Sequence, residues 1–120
     1  MIIFQKRIYR SDLRQNPGVY YVFGDNAARC GLGGQAAEMR GEPNAIGVAT
    51  KWSPSECFSQ ERHDEQVEIL NADLDRVAAL LKRGLLVVWP SDGIGTGLAE
   101  LERLWPRGLK IIGEWLELWT

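Results

Sequence analysis

Two stretches of this chain are apolar from end to end: Val19-Tyr20-Tyr21-Val22-Phe23 and Leu85-Leu86-Val87-Val88-Trp89. A strand with one face in water alternates apolar and polar side chains, whereas a strand without alternation is covered on both faces. Two such strands call for a sheet sandwiched between helices. Between them, Glu61 to Arg83 carries Val67, Leu70, Leu74, Val77, Ala78 and Leu81 at helical spacing, and Gly84 ends the pattern. Other segments predict smaller elements: an edge strand within Met1 to Tyr9, a helical turn capped near Ser11 and Asp12, and a short helix from Gln35 to Arg40. Ala45 to Thr50 reads as a strand, Lys51 to Gln60 as a loop, Leu98 to Leu104 as a short helix, and Leu109 to Ile112 as a last strand before a terminal turn or helix. Strands alternating with helices predict an α/β fold of three layers, α/β/α, around a mixed, mostly parallel sheet. The 120 residues suffice for one core and are too few for two, so residues 1–120 form a single domain in this reading.

Composition narrows the function classes. With 45% hydrophobic and 25% charged residues, disorder is excluded as the general state. The net charge of -2 argues against a basic nucleic-acid-binding surface, leaving nucleic acid only as a modified substrate. Charge is uneven: residues 1–40 sum to +3 and residues 41–80 to -5, so the positive segment is the one that holds the first glycine-rich loop. Cys30 and Cys57 form no disulfide framework or zinc pattern, which fits reduced thiols in the cytoplasm; no metal or cofactor is expected. The apolar run after Met1 is too short for a signal peptide, and no run is long enough to cross a membrane.

Each apolar strand ends in a loop rich in glycine and small polar residues. The first runs from Gly24-Asp25-Asn26 to Gly31-Leu32-Gly33-Gly34-Gln35, the second through Ser91-Asp92-Gly93-Ile94-Gly95-Thr96-Gly97. In open α/β sheets ligands sit beyond the carboxyl ends of strands, and glycine lets backbone N–H groups approach a phosphate. The expected ligand is therefore phosphate-containing, a nucleotide. Neither loop has dinucleotide-fold spacing, and the second lacks a P-loop lysine. The plainer alternative is a pair of tight turns, with Asp25, Asn26 and Asp92 bonding their own backbone. Asp25 and Asn26 are the catalytic candidates, the one orienting water or acting as a base, the other holding a ribose hydroxyl. Thr50 and Lys51, after the next strand, can meet a phosphate. His63, near a helix start, reads as structural rather than as a base, and Cys30 lacks a placed histidine partner for a covalent role. Trp52 and Phe58 can stack on a base or pack their loop down. Trp105, Trp115, Leu116, Leu118 and Trp119 can cover the sheet or form a homodimer face.

The first strand with Gly24-Asp25-Asn26, Gly31 and Gly33-Gly34-Gln35-Ala36-Ala37, then Ala45-Ile46-Gly47-Val48-Ala49-Thr50-Lys51, a long helix, a strand and a glycine-rich loop resemble the macro-domain superfamily. More narrowly, they resemble small macro-like proteins of bacteria and phages. The likeness covers roughly residues 19–112. It implies a site for ADP-ribose, with Asp25, Asn26, Gly33 and Gly34 bordering the distal ribose and Ser91 to Gly97 around the diphosphate. It implies an adenine-recognising aspartate soon after the first strand, where this chain has Asp12. It also implies two alternatives to plain binding: a hydrolase that removes ADP-ribose, and a phage-type protein that sequesters a nucleotide defence signal. A purely structural or interaction domain is the remaining reading.

Overall fold

The computed structural model describes all residues, 1–120. Its sheet has five strands: β1 (Ile2–Gln5), β2 (Tyr20–Asn26), β3 (Ala45–Ser53), β4 (Glu56–Cys57) and β5 (Val87–Pro90), in spatial order β1-β5-β2-β3-β4. β1, β5, β2 and β3 run parallel, and only the short edge strand β4 is antiparallel, to β3. The helices are α1 (Arg10–Gln15), α2 (Ala36–Met39), α3 (His63–Lys82), α4 (Leu101–Leu104) and α5 (Pro106–Trp119), with a 3-10 turn at Gln60–Arg62 leading into α3.

The unalternating strands divide their side chains between two cores. Val22, Val87 and Trp89 belong to one, with Leu70, Leu74 and Val77 of α3 and Ile112 of α5. Tyr21, Phe23 and Val88 belong to the other, with Leu13 of α1 and Ala36 and Met39 of α2. The sheet is thus covered on both faces, the three-layer α/β arrangement. Leu70, Leu74 and Val77 are essentially fully buried, each contributing about 1.5–3 kcal/mol by transfer from water. α3 ends as its sequence predicts: Gly84 takes φ +79, its N–H reaches the Leu81 carbonyl at 2.9 Å, and Leu85 N–H reaches that of Leu80 at 3.2 Å.

Several expectations are corrected. Leu109 to Ile112 is not a strand but lies within α5, which opens on Pro106. Leu109, Ile112, Trp115, Leu116 and Trp119 form one helical stripe against the larger core. Gly108 allows this packing, because a Cβ there would collide with the Trp105 ring. β2 does not stop at Phe23 but carries on through Gly24, Asp25 and Asn26. β3 likewise runs to Ser53, so Lys51 and Trp52 stand on a strand rather than in a loop. The helix expected from Leu98 begins at Leu101, after a left-handed Glu100, and the Gln35 to Arg40 helix shrinks to Ala36–Met39. At α1 the cap falls on Tyr9, whose N–H donates to the Asp12 carboxylate at 2.9 Å; Ser11 is already inside the helix.

The C-terminal aromatics cover the chain's own sheet. Trp115 stacks on Trp89 with centroids 5.6 Å apart, Trp119 leans on Trp115 at 6.2 Å, and Trp105 is fully buried. Of that cluster only Leu118 points outward, 83% exposed. No helix is long and apolar enough to cross a membrane.

Candidate functional site

β5, β2 and β3 are neighbours and parallel, so their carboxyl ends share one edge of the sheet. That edge is where the two glycine-rich loops emerge and where a cavity of about 170 Å³ opens. β2 contributes Gly24, Asp25 and Asn26, and the loop after it Gly31, Gly33, Gly34 and Gln35. β3 contributes Thr50 and Lys51; its register against β2 slips between Asp25 and Asn26, so that Asn26 pairs with Lys51 and Thr50 is passed over. From the last loop come Gly93, Gly95 and Gly97.

Four expected ligand contacts fall outside the cavity wall. Ser91 and Asp92 form an exposed turn after β5. Thr96 is exposed, its hydroxyl donating to the Asp92 carbonyl at 3.3 Å. Ile94 is 2% exposed and anchors the loop in the larger core. Asp12 is also elsewhere: its carboxylate accepts the Tyr9 N–H and the Gln5 side-chain amide, and it caps α1. Trp52 is outside the cavity wall and packed in place: the Arg62 guanidinium lies over one face, 3.8 Å from its ring centroid, and Phe58 meets it in a T-shaped contact. His63 is structural, accepting the Trp105 indole N–H at 2.9 Å.

The residues that sequence reasoning missed are charged. Arg40 lines the cavity and pairs with Asp25, while also donating to the carbonyls of Gly31 and Cys30. Arg29, held at φ +57, lies 3.6 Å from Asp25 and grips Asp73 of α3 through two bonds of 2.7 and 2.8 Å. Asp73 is buried and also accepts the Ala49 N–H and Arg76. Room for this network comes from Gly47 on β3, where a Cβ would collide with the Asp25 carboxylate. The signal lay in the positive charge of residues 1–40, but the partners are 15 and 44 residues apart along the chain.

These contacts define what Asp25 and Asn26 do in this geometry. Asp25 is 7% exposed, and both its oxygens face guanidinium groups; one also accepts the Asn26 N–H at 2.8 Å. The Asn26 amide donates to the Cys30 carbonyl at 2.8 Å and closes the loop on itself. Gln35 accepts the Gly24 N–H at 2.8 Å and donates to the Gly93 carbonyl at 3.1 Å, tying one glycine loop to the other.

Other groups remain uncommitted. Among the cavity-lining residues, the backbone N–H groups of Gly31, Gly33, Gly34, Gly95, Gly97, Leu98 and Ala99 find no acceptor in the protein. Lys51 is half-buried, has no carboxylate partner, and spends one donor on the Pro54 carbonyl at 2.8 Å. Asp25, Arg40 and Lys51 are the charged residues of the wall, so its formal charge is positive. Uncommitted N–H groups beside a lysine and an arginine suit an anion.

Among protein families, one described as a family of unknown function, DUF7831, matches residues 3–115. The chain belongs to that family. No curated protein and no solved structure matches it.

Proposed function

We propose that the cleft binds a phosphate-containing nucleotide, with ADP-ribose the ligand that the macro-domain resemblance implies. The observation that carries this reading is the set of uncommitted N–H groups on Gly31, Gly33, Gly34, Gly95, Gly97, Leu98 and Ala99, beside Lys51 and Arg40. A phosphate supplies the acceptors these donors lack, and the two loops can grip it from opposite sides. The geometry favours binding over turnover. Asp25 and Asn26, the groups expected to orient water or a ribose hydroxyl, are committed to Arg40, Arg29 and the Cys30 carbonyl.

The test is calorimetric titration of the purified protein with ADP-ribose, followed by chromatography of the ligand. Saturable binding with the ligand recovered intact supports a binding module. Release of ribose or of a nucleoside phosphate would replace it with the hydrolase reading, and absence of heat at millimolar ligand would remove ADP-ribose as the ligand.

A further inference from the structure

We infer that the cleft reads a phosphorylated pentose and is indifferent to the base attached to it. This inference rests on the nucleotide-binding reading above and narrows it. Recognition of a base requires two things: a flat face to stack on, and acceptors as well as donors to match the base edge, since adenine and guanine each present N–H groups that need an acceptor. The cleft's side chains offer no such face and, apart from the Thr50 hydroxyl, no free acceptor. No aromatic residue lines it, and Trp52 lies outside the wall with Arg62 over one face.

The carboxylate and amide acceptors in the wall are already engaged, and only the Thr50 hydroxyl oxygen is not. Both Asp25 oxygens face guanidinium groups, the Gln35 oxygen holds the Gly24 N–H, and the Asn26 side chain closes on Cys30. Asp12 lies outside the wall and is used at the start of α1. What remains unspent is mainly donors, the loop N–H groups and the Lys51 ammonium, against two acceptors, the Thr50 hydroxyl oxygen and the Ala99 carbonyl. A wall of donors matches the oxygens of a phosphate and of sugar hydroxyls, not a base edge.

Size points the same way. The cavity's 170 Å³ falls below the roughly 300 Å³ at which pockets for drug-sized ligands begin. It is suited to one sugar phosphate, with the apolar side chains of Ala36, Pro54, Leu98 and Ala99 available to the C–H face of the ring. The occupant is either a free pentose phosphate or the sugar-phosphate end of a larger nucleotide whose base stays outside.

The experiment compares four ligands by calorimetry on the intact protein: ADP-ribose, its guanine counterpart GDP-ribose, ribose 5-phosphate and adenosine. The inference expects ADP-ribose and GDP-ribose to bind within about threefold of each other, ribose 5-phosphate within about tenfold of both, and adenosine not at all. Ribose 5-phosphate equal to ADP-ribose identifies a free sugar phosphate as sufficient; a deficit within that tenfold range identifies the nucleotide end as the better source. A loss beyond about tenfold on exchanging adenine for guanine, binding of adenosine, or failure of ribose 5-phosphate where ADP-ribose binds would overturn the inference while leaving nucleotide binding intact. If none of the phosphorylated ligands binds, nucleotide binding itself fails, and the inference with it.

Discussion

The two glycine-rich loops face each other across one cleft, yet they are held in place by opposite means. The first, after β2, is fastened by charge and amide groups. Arg40 takes the carbonyls of Gly31 and Cys30, Arg29 is anchored on Asp73, and Asn26 bridges to Cys30. The second, after β5, is fastened mainly by apolar anchors: Ile94, Ala99 and Leu101 are buried in the larger core, and a few neutral hydrogen bonds brace it, from Leu101 N–H to the Gly95 carbonyl, the Thr96 hydroxyl to the Asp92 carbonyl and the Gln35 amide to the Gly93 carbonyl. In the first loop the arginines consume carbonyl oxygens; in the second the anchors consume no polar group. Either way N–H groups are left over, so two unlike methods of fixing a loop produce the same chemistry at its surface.

The largest effect is expected in the loop held by charge. Asp73→Ala strips Arg29 of its bidentate partner and leaves the Ala49 N–H without an acceptor. Arg29 and Arg76 reach solvent, so the cost is that of an unpaired Ala49 N–H and lost charge-assisted bonds, about 1.5–3 kcal/mol, read from urea unfolding. A loss under about 1 kcal/mol would show that charge does not hold the first loop.

The second loop is tested by contrasting two of its glycines. Gly95 sits at φ +85, and a Cβ there would collide with Leu101. Gly95→Ala should therefore destabilise by about 1–3 kcal/mol, and any lost binding would be ambiguous. Gly97 has open space where a side chain would begin and no left-handed φ. Gly97→Val should leave stability within about 0.5 kcal/mol and weaken ADP-ribose by about tenfold or more. Binding at wild-type strength in a folded Gly97→Val protein would remove that loop from the phosphate site.

Lys51 lines the same cavity from β3 and belongs to neither loop. Lys51→Ala should keep the fold and lower ADP-ribose affinity by about tenfold at low ionic strength, with the gap closing as salt is added. A gap that ignores salt would mean the lysine acts by shape rather than charge.

The smallest effect concerns the outer fastening of the first loop's helix, where Glu42 meets Arg14 and Arg10 at 3.0 and 3.1 Å. The hydrogen bond from Arg14, aided by Arg10, holds the Glu42 carboxyl below its ordinary value. A depressed folded-state value stabilises the protein above the ordinary carboxylate range, and that contribution is lost as pH falls through the folded-state value. Glu42→Gln should thus lower Tm slightly at pH 7, and the wild-type and variant curves should converge only after pH has fallen below the ordinary glutamate range. Parallel curves throughout would exclude the ion pair as the cause.

What the sequence made legible follows from the range of the interactions involved. The buried strands, α3 and its Gly84 ending are visible because unalternating runs and 3.6-residue periods are local patterns. The site edge was legible for the same reason: both loops directly follow such strands. α5 was hidden because Leu109-Lys110-Ile111-Ile112 is as β-branched as a strand and two glycines, Gly108 and Gly113, interrupt the helical composition; the spacing of Ile112, Trp115 and Trp119 carried the helical signal that the strand reading passed over. Arg40, Arg29 and Asp73 were illegible as a network, because a charge in a sequence carries no sign of which distant carboxylate it will meet. The use of Asp25 and Asn26 as fasteners rather than open groups was hidden by the same limit.

The position of β1 bears on how the chain reaches this state. β1 lies at the edge of the sheet, and its one neighbour is β5, with Ile2 opposite Val87 and Gln5 opposite Pro90. During synthesis Ile2-Ile3-Phe4 leaves the ribosome more than 80 residues ahead of its docking partner. Until that partner arrives the strand is a short, sticky segment with nothing to pair with, and the larger core lacks Ile2. The first strand of the sheet to be made is therefore among the last that can be seated, and folding must wait on the late arrival of Val87–Pro90 before the layer is closed.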